Sequence, residues 1–154
     1  MDPSPHQIAH ELLRQLATDE RLANAAVPLF GASPNFYLDD DDPEDKSPHI
    51  IATPDTSEEG EGTDGDIRIR LVVSAYARPE EDEVTAEGGT PGLFLKPSAA
   101  KFDAFARAVW LAVRRTRPGA IFQSYSAEWG LGEFYPLHFV VYTVNYRTIL
   151  AFGD

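Results

Sequence analysis

Chemistry in this chain would have to come from histidines, carboxylates and hydroxyls. With no cysteine, it has no thiol nucleophile, thiolate ligand or disulfide. His6 and His10 stand one helical turn apart, so both imidazoles can face one point. Two ligands do not complete a zinc site, and HQIAHE lacks the glutamate that follows the first histidine in HExxH metalloproteases. The pair reads as exposed side chains near a terminus. His49 and His138 fall in expected strands and read as satisfied sheet histidines. There is no GxSxG elbow, and Ser124 and Ser126 lie in an expected strand without glycine punctuation around them. No catalytic residue is assigned.

Two further patterns invite ligands. Gly60-Glu61-Gly62-Thr63-Asp64-Gly65 matches GxGxxG by letter. A dinucleotide site needs a strand before the motif and a helix amino terminus after it, whereas here a strand follows and carboxylates crowd the loop. The run Asp39-Asp40-Asp41-Asp42-Pro43-Glu44-Asp45, together with Asp64 and Asp66, could attract a hard cation. An EF-hand requires glycine at its sixth position, where this run has Glu44. It reads as a solvated loop, because clustered carboxylates cannot be desolvated without partners. No metal and no cofactor are expected.

These residues must be carried on a frame, and its clearest piece is the helix expected over 98–117. Phe102, Phe105, Ala106, Val109, Ala112 and Val113 recur at three- and four-residue steps, Arg114, Arg115 and Arg117 suit its negative end, and Pro118-Gly119 stops it. Ser98 is expected to cap its start. A first helix begins at Ser4-Pro5, with Ile8, Leu12, Leu13 and Leu16 as its stripe. Residues 21–26 are expected to add only a short turn before Pro28, and 36–38 a very short strand. Residues 48–53 read as a compact strand whose partner is 66–78, where Ile67, Ile69, Leu71, Val73 and Ala75 alternate with polar residues. Ala120 to Glu128 and Leu137 to Leu150 read as two closing strands joined through Gly130-Leu131-Gly132, the last covered on both faces. The aromatic set of Phe122, Tyr125, Trp129, Phe134, Tyr135, Phe139, Tyr142 and Tyr146 reads as core and sheet face.

The expected fold is α+β: one domain over 1–154, with an antiparallel or mixed sheet of four to five strands and two main helices on one face. Acidic loops are expected at 39–47 and 57–65, and a long arm at 79–97, whose length inside a compact domain marks it as disordered or as a binding arm. Thirteen basic against twenty-five acidic residues give a net charge of −12, which repels phosphate backbones and anionic lipid. A nucleic-acid reader is disfavoured by that balance. With neither a leader-like start nor an apolar run near the roughly 20 residues that span a bilayer, a soluble cytoplasmic protein is expected.

The sequence of elements is an ELLRQLATDERL helix, an irregular stretch, the Pro48-His49-Ile50-Ile51 strand and the long 67–77 strand. The amphipathic helix around Phe105 and Trp110 and two closing strands complete it. This order resembles the tail terminator, or tail-completion, proteins of tailed bacteriophages over nearly the whole chain, by pattern and without a signature motif. The 79–97 insertion is longer than the family pattern requires. The resemblance implies a non-enzymatic virion protein at the head–tail junction, made in the host cytoplasm. It would form a hexameric ring that caps the tail tube, ends its polymerisation and docks the head-side connector. Its partners would be further copies of itself, the tube protein and the connector, with DNA passing through the channel unbound. Glu80, Glu81, Asp82, Glu83, Gly88, Gly89, Leu93 and Phe94 are then expected at a subunit or tube interface. Asp39, Asp40, Asp41, Asp42, Asp64 and Asp66 are expected to be solvated or to face the channel. The rival readings are a neighbouring connector or adaptor of the neck, a small acidic α+β hydrolase using His138 or His49, and a binding module for a basic partner.

Overall fold

The computed structural model describes residues 4–39, 48–55 and 66–148. Ser4 caps helix α1 (Pro5–Ala17) through a reciprocal pair: its hydroxyl accepts from the Gln7 amide, and the Gln7 side chain accepts from the Ser4 amide. Ile8, Leu12, Leu13 and Leu16 are buried on one stripe. Asp19 then caps a second helix, α2 (Glu20–Phe30), where the sequence suggested only a turn. Proline in a helix costs on the order of 3 kcal/mol. Pro28 is tolerated in the last turn, where Gly31 at φ 75° closes the helix and Phe30 packs edge-on against Phe105 at 5.4 Å.

Strands β1 (Asn35–Leu38), β2 (His49–Pro54) and β3 (Asp66–Tyr76) follow. A 3-10 turn (Pro79–Glu81), strands β4 (Thr85–Ala86) and β5 (Phe94–Leu95), and helix α3 (Pro97–Arg115) come next, before β6 (Ile121–Phe134) and β7 (Leu137–Arg147). Five strands form one sheet in the order β1-β2-β3-β7-β6, with β1 parallel to β2 and every other pair antiparallel. The fold is therefore α+β with a mixed sheet, as read from the sequence.

Helix α1 lies on β1 and β2, α3 lies on β3 and β7, and α2 packs mainly on α3. The alternating residues Ile67, Ile69, Leu71, Val73 and Ala75 meet Phe102, Phe105 and Val109 in one core. Two polar clamps hold the helix layer. Arg115 makes a bidentate pair with Asp19 at 2.9–3.0 Å, and Gln15 exchanges two hydrogen bonds with the backbone of Arg117 at 2.7 and 2.9 Å.

The closing hairpin corrects the sequence reading in two ways. Strand β6 continues past Gly130 and Gly132 to Phe134, with a shift in its register on β7 between Gly130 and Phe134, and the turn falls at Tyr135-Pro136, a cis peptide. Gly130 is a bed for the ring of Phe139, its cross-strand partner, and a Cβ there would overlap that ring. The second face of β7, expected to be covered, is half-buried at Leu137, Phe139, Val141 and Thr143. Among the described residues no helix covers it.

Gly130→Ala is expected to push Phe139 aside and cost about 1 kcal/mol, the low end of overpacking because the ring is only half-buried. Pairing it with Phe139→Ala should cost less than the two single changes summed. Urea midpoints of the four proteins check this, and strict additivity would refute it.

Candidate functional site

The arm between β3 and α3 is ordered, and one carboxylate roots it. Asp82, expected at an interface, is turned inward and is among the few buried charged residues. Its Oδ1 accepts from the Ser98 amide at 2.8 Å, and its Oδ2 accepts from the Ser98 hydroxyl at 2.6 Å and the Tyr135 hydroxyl at 2.8 Å. Ser98 is therefore not the cap of α3. It lies one residue inside the helix, Lys96 occupies the cap position without a side-chain bond, and Asp82 satisfies a free first-turn amide from 16 residues away. Burial raises the Asp82 carboxyl pKa, but the bonds from Ser98 and Tyr135 and the nearby Lys96 charge outweigh this and hold it below the usual carboxylate range. The Lys96 ammonium lies 3.8 Å from the centre of the Tyr135 ring, closing the base of the arm.

Ser98 also contacts Nε2 of His138 at 2.9 Å, which brings serine, histidine and aspartate together. The wiring is opposite to that of a nucleophilic triad. An ionised Asp82 only accepts, so the one hydroxyl hydrogen of Ser98 goes to it, and His138 Nε2 must donate to the serine oxygen. The lone pair that a general base needs is then on Nδ1, which is buried and has no hydrogen-bond partner. Asp82 and Ser98 border a cleft of about 630 Å³ between the end of α2 and the base of the arm, together with Phe30, Pro48, Tyr76 and Lys101. His138 stands behind Ser98, outside the residues that line the cleft. The cluster works as a latch between arm, helix and sheet.

The other expected site residues sit apart from it. Glu80 and Glu81 are exposed in the 3-10 turn, and Glu83 is exposed just after it. Gly88 and Gly89 form the tip of the small β4–β5 hairpin, with Gly89 at φ 90°, and Leu93 and Phe94 are exposed on its return strand. Asp39 follows β1 at φ 63° with an exposed side chain. Asp66 is the first residue of β3 and pairs with Arg147 at 3.3 Å, so it is a strand residue and not a loop one. Asp40, Asp41, Asp42 and Asp64 lie outside the described residues, as do the GxGxxG match and the expected loops, apart from Asp39. His6 and His10 are exposed on α1, and no group of three metal-ligating side chains occurs among the described residues. His49 is buried edge-on to Tyr37 at 6.2 Å.

The aromatic set, read as core and sheet face, divides between the two, and its sheet-face part is the main surface feature. Helix α3 lies over β3 and β7 and reaches β6, the 14-residue edge strand of the sheet, through Trp110 and Arg114. The helix-side aromatics of β6 remain partly open. Tyr125 stacks on Trp110 at 3.9 Å, Phe122 meets Trp110 at 5.9 Å, and Trp129 lies edge-on to Tyr142 at 6.3 Å. Of this set Tyr142 and Tyr146 are buried, whereas Phe122, Tyr125, Trp129 and Phe134 are exposed, Tyr125 at 46%. The available signal was the width of the sheet: two helices cannot cover five strands. No protein-family model matches the chain, and no curated protein matches it significantly. No helix among the described residues is long and apolar enough to cross a membrane.

Asp82→Asn is expected to lose one of three buried bonds and cost about 1–3 kcal/mol, read from the urea midpoint at pH 7. His138 provides a pH test. Burial lowers its pKa from the usual 6.5, with the Asp82 charge opposing and Lys96 assisting. The folded state then binds fewer protons than the unfolded one, so this contribution is full above pH 6.5 and declines as pH falls towards the lower folded value. His138→Gln should flatten that decline between pH 6.5 and 5, and an unchanged slope would refute the assignment.

Proposed function

We propose that this chain is a structural subunit of the phage tail-terminator kind, closing into a hexameric ring that caps a tail tube. Such a ring ends tube polymerisation and presents a docking surface to the head-side connector. The observation that carries the reading is β6, a long strand that is the edge of the sheet among the described residues, with a row of exposed aromatics on one face. An edge of this kind is an aggregation hazard in a monomer, and its natural use is completion by another chain. The order of elements and the projecting acidic arm agree with it. A ring of chains each at −12 is strongly anionic, which suits a passage through which DNA moves without sticking.

In this reading the chain acts at the head–tail junction of the virion and has no catalytic residue, metal or cofactor. The hydrolase alternative loses its best support in the reversed Ser98–His138 wiring. Light scattering is expected to show a species of about 102 kDa, six times the 17.0 kDa chain. Added to growing tail tubes, the protein should stop elongation. Tubes that lengthen unchanged in its presence would overturn the proposal. Loss of the gene should give overlong tails, whereas normal-length tails without heads would move the protein to the neighbouring connector position.

A further inference from the structure

The arm and the far end of α3 carry complementary surfaces. Residues 79–95 contain five carboxylates and no cation, and the hairpin presents Val84, Leu93, Phe94 and Leu95 to solvent, Phe94 at 63% exposure. Glu80, Glu83 and Glu87 have no ion-pair partner among the described residues, while Glu81 faces Arg78 at 3.7 Å. At the other end of α3, a recess of about 300 Å³ opens between the helix and the start of β6, lined by Val113, Arg114, Arg117, Ile121, Phe122 and Tyr146. Its walls are apolar and its rim is cationic. Arg114 is exposed over the Phe122 ring at 5.7 Å, and among the described residues the Arg117 guanidinium donates only to backbone carbonyls. Neither has a carboxylate partner among the described residues.

The hairpin cannot fill the recess of its own chain. Phe94 is three residues before Pro97 and so within about 11 Å of the start of α3. Val113 lies sixteen residues along the same helix, about 24 Å away, and Asp82 pins the arm to the near end. We propose that the β4–β5 hairpin of one copy inserts Phe94 into the α3–β6 recess of the next copy. The arm carboxylates then sit against its Arg114 and Arg117. One patch meets a different patch, so each copy both gives and receives a hairpin, and the contact propagates head to tail until rotation closes it. Opposite charges set the register and hasten encounter, while the aromatic knob supplies the buried apolar area. The inference rests on the ring reading and names the contact that would build the ring.

The cysteine-free chain allows a direct test. A Leu93→Cys, Ile121→Cys double variant, which keeps Phe94 and is oxidised under native conditions, is expected to give a ladder of covalent species beyond the dimer, because each copy has two different reactive ends. Single-cysteine variants stop at dimers. Arg114→Glu, with its folding checked by circular dichroism, should weaken association of the otherwise native chain at least tenfold, and Glu87→Arg in the same chain should restore part of the loss. An intrachain disulfide, or dimers alone, would overturn the proposal. If the native chain forms a 102 kDa species whose mass Arg114→Glu leaves unchanged, this contact falls and the ring stands. A chain that stays monomeric at all concentrations and does not stop tube growth removes both.

Discussion

The organising constraint is a mismatch of widths between the two layers. Strands lie about 4.8 Å apart and packed helices 8–10 Å apart, and here only α1 and α3 lie across the five-strand sheet. They lie over β1, β2, β3 and β7, and α3 reaches β6 through Trp110 and Arg114. At that margin the longest strand places its aromatic side chains, partly in solvent. The remaining option of placing α2 over β6 is closed, because the Asp19–Arg115 pair and the Phe30–Phe105 contact hold α2 on the opposite flank of α3.

The buried carboxylate of Asp82 is the second point on which the architecture turns. An arm of small residues, glycines and glutamates has too little apolar surface to order itself. A single acceptor with three donors supplies what burial cannot, joining the arm to the first turn of α3 and to the β6–β7 turn. The hairpin beyond Asp82 then projects from a fixed base with its apolar residues outward. A latch that combines serine, histidine and aspartate resembles catalytic machinery only until its hydrogens are assigned.

Most of the frame was legible in the sequence because it follows from periodicity. The stripes of α1 and α3, the alternation of β3 and the Ser4 cap each have one physical solution. Helix α2 was not legible, since Pro28 is a local stop signal that tertiary packing of Phe30 overrides. The end of β6 was misplaced because glycines in a strand signal either a turn or a close neighbour, and only the cross-strand partner Phe139 decides which. The inward turn of Asp82 had no local signal beyond its being the one aspartate among glutamates in the arm. Exposure of Phe122, Tyr125 and Trp129 depends on how far the helix layer reaches, a property of the assembled layers and not of any segment.

The aromatic row has a spectroscopic consequence. The chain contains two tryptophans, and both meet the β6 aromatic row: Trp110, half-buried on α3, stacks against Tyr125, and Trp129, exposed on β6, lies beside Tyr142. Indole emission therefore reports on the surroundings of that row, since neither α1 nor the arm carries a tryptophan. Whatever binds there reports itself by the colour of its light, without a label.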